Sequence, residues 1–283
     1  MENRVQAQQF AEQIKKYEAD VLRRLLITHQ GIKPEKFVEV AIKEVKKNQK
    51  LLDAFVVNPA SMFASLLFCA EIGIYPDSEV GEFYLIPRNL RQPDGQYKLT
   101  VTPLIGYKGV LNILFRSGHI DKVESNIVYK GDEFKVSYGL NPNLEHIPNF
   151  EAERTAQNIV AAYAVATLKS GHTQFAIATK QEIEAIMNMS KEANKLYFND
   201  KSGITRWMEK KAALIQLSKL LPKDYYSQKA ISYEGALEGG SYLTVDENNQ
   251  IVLVNSEPKQ VGYKSNIYQN LQNLKEDTEI TQP

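Results

Sequence analysis

The chain has 283 residues, 43% of them hydrophobic and 24% charged, with a formal net charge of zero. These values fit a globular protein with length for a sizeable core, in one large or two small domains. They exclude a disordered or globally basic chain, and a lone Cys69 in an apolar run excludes a disulfide framework and a thiolate metal site. No apolar signal core opens the chain and no run approaches membrane-spanning length, so a cytoplasmic protein is expected. The charge is uneven, however. Lys195 to Lys229 holds eight Lys/Arg against three acids, and Ser232 to the end holds three against eight. An acidic tail behind a basic body hides a polyanion-binding surface from a whole-chain count.

In chain order, Val5 to Ile27 lacks Gly and Pro and predicts a helix. Pro34 to Lys50 predicts a second, with Phe37, Val38, Ala41 and Val45 on one side and Lys43, Lys46, Lys47 and Lys50 on the other. A third runs from Asn58-Pro59 to Glu71, apolar almost all round and therefore buried, with Gly73 ending it. Strands are expected at Glu82 to Pro87 and Tyr97 to Leu104, a hairpin with a long basic connection turning at Pro93-Asp94-Gly95. Two more, His119 to Tyr129 and Glu133 to Tyr138, share the turn Lys130-Gly131-Asp132. Gly139 to Gln157 reads as a polar loop. Ile159 to Leu168 and Gln174 to Ala178 form a further hairpin, after which Thr179 and Glu182 make a capping box for a helix. Asn188 to Ser202 has no clear periodicity. Ile204 to Leu221 is the last long helix, ended by Pro222, with Trp207, Met208, Ala212, Leu214, Ile215 and Leu221 toward the core. Its other side carries Arg206, Lys210, Lys211 and Lys219. Beyond Ser232 the composition is that of a poorly ordered tail.

The stretch Tyr97 to Ser117 joins a strand to a helix across Ile105-Gly106-Tyr107-Lys108-Gly109. Glycines let a foreign backbone approach, and helix N-terminal amides attract phosphate, so this turn suits nucleic-acid backbone or a nucleotide. It equally fits an ordinary strand–helix turn with a solvated lysine. The G-x-x-G also matches the clamp of KH domains, but there the motif joins two helices.

Enzymatic signatures are missing. There is no G-x-x-x-x-G-K-[ST], hence no case for ATP hydrolysis, and no G-x-G-x-x-G after a strand. The four histidines lie far apart, and no cofactor or metal is implied. Asp121, Glu124, Asp132 and Glu133 raise a metal-dependent nuclease as an alternative. Turn chemistry explains Asp132 and Glu133 better.

Several blocks resemble a known family. Asn58-Pro59-Ala60-Ser61, then Glu71 to Pro76, then Gly81-Glu82-Phe83-Tyr84-Leu85-Ile86-Pro87 resemble the opening block of the RecT family of phage single-strand DNA annealing proteins. Leu104 to Gly109 and Arg116-Ser117-Gly118 resemble its central block. Val128 to Phe134 with Tyr138 to Pro142, and Trp207 to Pro222, are similar to the later ones. The resemblance covers roughly Ile32 to Tyr225. It implies an α+β fold, a curved antiparallel sheet of hairpins backed by helices. It also implies a non-enzymatic, ATP-independent recombinase that binds single-stranded DNA and holds the annealed duplex in a helical or ring-shaped homo-oligomer. A phage 5′-to-3′ exonuclease is the implied partner, with a host single-strand-binding protein as a further one. A non-annealing single-strand-binding protein is the alternative.

The expected organisation is an N-terminal helical region, 1–57, bearing oligomer contacts, an annealing core, 58–230, and the acidic tail, 231–283. An annealing protein must grip phosphates and leave base edges free, so lysines and arginines on a groove are expected to carry the affinity. Lys108 is the expected phosphate contact, with Tyr107 on sugar or base, or else in the core. Arg88, Arg91 and Lys98 on the first hairpin, Arg116 and Lys130 near the central helix, and Arg206, Lys210 and Lys211 on the last helix are expected to line the walls. No catalytic residue is required.

Overall fold

A computed structural model describes residues 2–17, 32–188, 206–238 and 240–255. The N-terminal helix α1, Glu2–Tyr17, buries Phe10 and Ile14, one turn apart, and Phe10 meets Phe55 edge-on with ring centroids 5.2 Å apart. The rest of the predicted first helix lies outside the described residues. The predicted second helix is two. Helix α2, Pro34–Lys46, starts on Pro34, and Asn48 then accepts the Lys50 amide at 3.1 Å to open α3, Gln49–Val57. Periodicity alone misses this break because Asn48 is a single capping residue inside a continuous helical pattern. Lys43 and Lys47 reach Glu79, each at 3.2 Å.

Helix α4, Pro59–Glu71, is buried on every side as expected, with Asn58 capping it and Pro59 in its first turn. Its two serines are zipped to a strand. The Val101 amide donates to Ser61 Oγ at 3.0 Å, and Ser65 Oγ donates to the carbonyls of Ser61 and Val101. Buried hydroxyls are tolerated here because each has a backbone partner.

The first hairpin pairs β1, Phe83–Arg91, with β2, Tyr97–Ile105, in unbroken antiparallel register. The connection is short: Gly95, at φ 82°, closes a turn in which the Gln92 amide donates to the Gln96 carbonyl at 2.7 Å. Arg88 and Arg91, expected in a long loop, are strand residues. Helix α5, Tyr107–Arg116, follows directly.

The largest sheet has three antiparallel strands, β3 (Ile120–Tyr129), β6 (Ile159–Leu168) and β7 (Thr173–Thr179), with β6 central. The strands expected to pair across residues 130–132 do not. Instead β4, Glu133–Ser137, pairs with β5, Asn143–Ile147, inside the predicted polar loop. The sequence of strand β5, NLEHI, has two apolar residues, Leu144 and Ile147, three apart and the second exposed, so no period-2 alternation marks it.

Strand β6 explains the layering. Ala162, Ala164 and Ala166 face the main core, while Ala161, Tyr163 and Val165 face a second cluster with Val128, Phe134, Leu144 and Ile177. The period-2 alternation thus gives the sheet a helix side and a hairpin side. Small side chains on the helix side admit α7, Trp207–Leu220, which buries Ala212, Ala213, Leu214 and Leu217 against β6 and β7. Helix α6, Lys180–Asn188, opens with the reciprocal capping box, Thr179 N to Glu182 Oε2 at 2.8 Å and Glu182 N to Thr179 Oγ1 at 3.3 Å.

The C-terminal boundary needs correction. Residue 231 falls inside helix α8, Tyr225–Glu238, and a last hairpin follows, β8 (Tyr242–Val245) with β9 (Ile251–Val254). Leu237, Tyr242 and Leu243 are buried, and β8 packs on α4 and β2. Residues 231–255 therefore complete the core; the rest of the expected tail lies outside the described residues.

The outcome is the expected α+β fold, with helices at its N-terminus and, among the described residues, antiparallel strands in four open sheets. Among the described residues no single helix is long and apolar enough to cross a membrane. Helices α3 and α4 pass such a test only as a pair bent by 114°.

Candidate nucleic-acid interface

The turn between β2 and α5 is built against the chain's own backbone. Gly106 has φ −73° and ψ 167°, open to any residue, so its requirement is space. A Cβ there would lie 2.1 Å from the Gly81 carbonyl oxygen, and one on Gly109 would lie 2.2 Å from that of Glu82. The Gly106 amide donates to the Glu82 carbonyl at 2.8 Å, and Asn112 Nδ2 donates to Glu82 Oε1, also at 2.8 Å. The glycines thus admit residues 81 and 82, and not a foreign backbone as the sequence suggested. Lys108, between them, is exposed, its stem near Gly81 beside the Tyr84 hydroxyl. Tyr107 is half-buried against the core, and that burial raises the pKa of its phenol.

The first hairpin splits its cations between two faces. Arg88 stands opposite Thr100 and Lys98 opposite Leu90, which shares their face; Arg91 stands opposite Tyr97 on the other. Lys98 Nζ lies 3.3 Å from Asp94, and Arg91 is exposed. Near the three-stranded sheet, Lys130 is exposed and its amide donates to the Asn158 carbonyl at 2.8 Å.

Two expected groove residues, Arg206 and Lys211, are turned inward, and a third, Arg116, is exposed but has its guanidinium tied to backbone. The Arg116 guanidinium donates to the carbonyls of Gly73, at 2.8 Å, and Ile72, closing the C-terminal end of α4. Burial lowers its pKa against the opposing pull of Asp224 and Glu82. Arg206 is 7% exposed, sits at φ 47° and pairs with Glu209 at 3.4 Å. Lys211 is 4% exposed and ion-paired with Glu234, whose other oxygen accepts from the Ile105 amide at 3.4 Å. That carboxylate ties α7 and α8 to the last residue of β2. Glu234 stands 23 residues from Lys211, so no local spacing in the sequence pairs them. Lys210 is half-buried, and its carbonyl accepts from Ser125 Oγ at 3.3 Å.

Asp132 is likewise internal. Its carboxylate accepts from the amides of Tyr129, at 2.9 Å, and Asn149, at 2.8 Å, and meets His146 Nε2 and Arg154 Nη2, both at 3.0 Å. Burial pushes its pKa up, but these hydrogen bonds and the Arg154 charge outweigh it and hold the carboxyl below its ordinary range. Among the described residues, no three His, Cys, Asp or Glu side chains group to hold a metal ion.

Of the other expected groove cations, Lys108, Arg91 and Lys130 are exposed and Arg88, Lys98 and Lys210 are partly covered. Two comparisons bear on them. Residues 35–250 match the family model described as RecT family. The chain is also 32% identical over 222 residues to Protein RecT of Escherichia coli (strain K12), covering 77% of this chain and 76% of that protein. The family match extends past Tyr225 through α8 and β8, the elements whose side chains close the core.

Proposed function

The chain belongs to the RecT family, a family of recombination and annealing proteins, and from that premise we propose that it binds single-stranded DNA and anneals complementary strands without ATP. It does so as a helical or ring-shaped homo-oligomer, supplied with single strands by a 5′-to-3′ exonuclease. The supporting observation is the turn around Lys108. Two sequence blocks, at residues 81–87 and 104–109, meet there backbone to backbone and leave the Lys108 ammonium exposed. A fixed cation reads no sequence, which is the demand annealing makes: phosphates held, base edges free. Lys108, Arg91 and Lys130 are the proposed phosphate contacts, with Arg88, Lys98 and Lys210 at their margins. Arg206 and Lys211 act from within as scaffold, and Arg116, though exposed, holds the end of α4 through its guanidinium. Base pairing supplies the discrimination and much of the free energy, so no catalytic group is needed.

The test is annealing of two labelled complementary oligonucleotides without ATP, with a non-complementary pair as control. Faster pairing than in buffer is expected. Tight binding that slows pairing would instead identify a protective single-strand binder, and an ATP requirement would overturn the proposal.

A further inference from the structure

The Arg154 guanidinium lies between two aromatic rings, 4.8 Å from the centroid of Tyr129 and 5.4 Å from that of Phe150. It cannot wander. Nη2 donates to Asp132 Oδ1 at 3.0 Å and to the Asn149 carbonyl at 3.2 Å. Asp132 is itself locked, its side chain without solvent exposure, by two amides and by His146, whose other ring nitrogen lies 3.2 Å from the Tyr163 hydroxyl. The inner ring, Tyr129, is 7% exposed, and the outer ring, Phe150, is 84% exposed. The result is a layered stack, ring on cation on ring, rigid at its base and open at its top. The turn at residues 130–132 abuts it, since a Cβ on Gly131 would meet Ala152 Cβ at 3.3 Å and Asn149 Nδ2 at 3.8 Å.

Phe150 differs from the other exposed apolar side chains in having a fixed guanidinium over its ring, and its surroundings narrow what it could meet. Exposed polar Asn149 and Glu151 flank it in sequence, so it offers one π face rather than a broad apolar surface. The cation beneath draws electron density from the ring, which favours an electron-rich π system above it over a second cation. Exposed Glu151 and Glu153 stand one and three residues after the ring and bring no positive charge of their own for a phosphate. What remains is a flat, neutral, electron-rich ring.

We propose that Phe150, backed by Arg154 and Tyr129, is a stacking platform for one unpaired nucleobase of the bound single strand. The inference rests on the single-strand reading above and adds to it a base contact, separate from the phosphate contacts. Stacking leaves the pairing edge of the base free, so such a platform holds a strand without hiding its sequence.

The experiment uses the full chain, Phe150→Ala and Phe150→Trp, and single-stranded oligonucleotides carrying 2-aminopurine, alongside strands of the same length made of abasic sites. Phe150→Ala is expected to weaken binding of the base-bearing strand roughly 5- to 150-fold, the range for one base–aromatic stack. The slope of log affinity against log salt should not move, because the same phosphates stay neutralised. Phe150→Trp should restore affinity and 2-aminopurine quenching, and the abasic strand should bind wild type and Phe150→Ala alike. Unchanged binding by Phe150→Ala, with wild type binding normally, overturns the platform and leaves the parent reading intact. Equal losses on both strands, with smaller assemblies in sedimentation, would overturn it in favour of contact with a second copy of the chain. Wild type that binds no single strand sinks both.

Discussion

The Glu82 carbonyl oxygen occupies the space that a Cβ on Gly109 would need, 2.2 Å from it, while the same oxygen holds the Gly106 amide at 2.8 Å. One backbone atom thus fixes the start of α5 and the base of Lys108. Gly109→Ala is therefore expected to destabilise the fold by about 1–3 kcal/mol through overpacking against main chain that cannot rotate away. Denaturant melts of the two proteins check this, and an unchanged midpoint would show that residues 81 and 82 yield easily.

Lys108 and Lys211, both expected at the interface from sequence, should behave oppositely. Lys108→Ala should leave stability within about 0.5 kcal/mol and flatten the salt dependence of single-strand binding by roughly 0.7 for each phosphate no longer neutralised, equally for all sequences. Lys211→Ala strands a buried Glu234 carboxylate and should cost about 3–5 kcal/mol of stability. Paired salt titrations and thermal melts separate the two, and the same phenotype in both variants would put one of the assignments in error.

How far the sequence carried depended on whether its partners were local. Helix α4 was legible because Asn58, Pro59 and an all-apolar run are local signals, and the capping box at Thr179 and Glu182 spans three residues. The hairpins β1–β2 and β6–β7 were legible from the turn residues between their strands, although the connection in β1–β2 is shorter than the sequence suggested. Strand β3 was placed correctly but paired wrongly, because its partner β6 lies about thirty residues away and residues 130–132 look like a hairpin turn. Those residues do turn, with Asp132 receiving the Tyr129 amide, yet the chain continues into a different sheet. The basic residues were hardest to judge. A lysine bound for Glu234 and a lysine bound for phosphate look identical in sequence, and so does an arginine that closes a helix end.

Shortening the chain at two points tests the corrected boundary. Ending it at residue 255 keeps helix α8 and the β8–β9 hairpin, and folding is expected to be retained. Ending it at residue 230 removes Leu237, Tyr242 and Leu243 from the core and leaves Lys211 buried without Glu234. That chain should fail to fold or melt far below the longer one. Circular dichroism and heat-induced unfolding of the two lengths give the answer, and equal stability would return residues 231–255 to the tail.

Asp132 makes the stability of the hairpin layer depend on acid. Its folded pKa lies below the unfolded value of 3.8, so the folded state holds its proton less tightly than the unfolded chain does. The contribution to stability is therefore complete above the unfolded pKa. It is lost as pH falls below about 3.8 and through the lower folded pKa. Asp132→Asn removes the charge that faces Arg154 and turns amide hydrogens toward donors, and near neutrality it should cost about 3–5 kcal/mol. The difference in stability between wild type and Asp132→Asn should shrink as the pH falls below about 3.8. If the variant also loosens Arg154, quenching of 2-aminopurine should fall with it, because the Phe150 ring rests on that guanidinium. A difference that did not shrink as the pH fell below about 3.8 would mean that the carboxylate is not held in its charged form by this network.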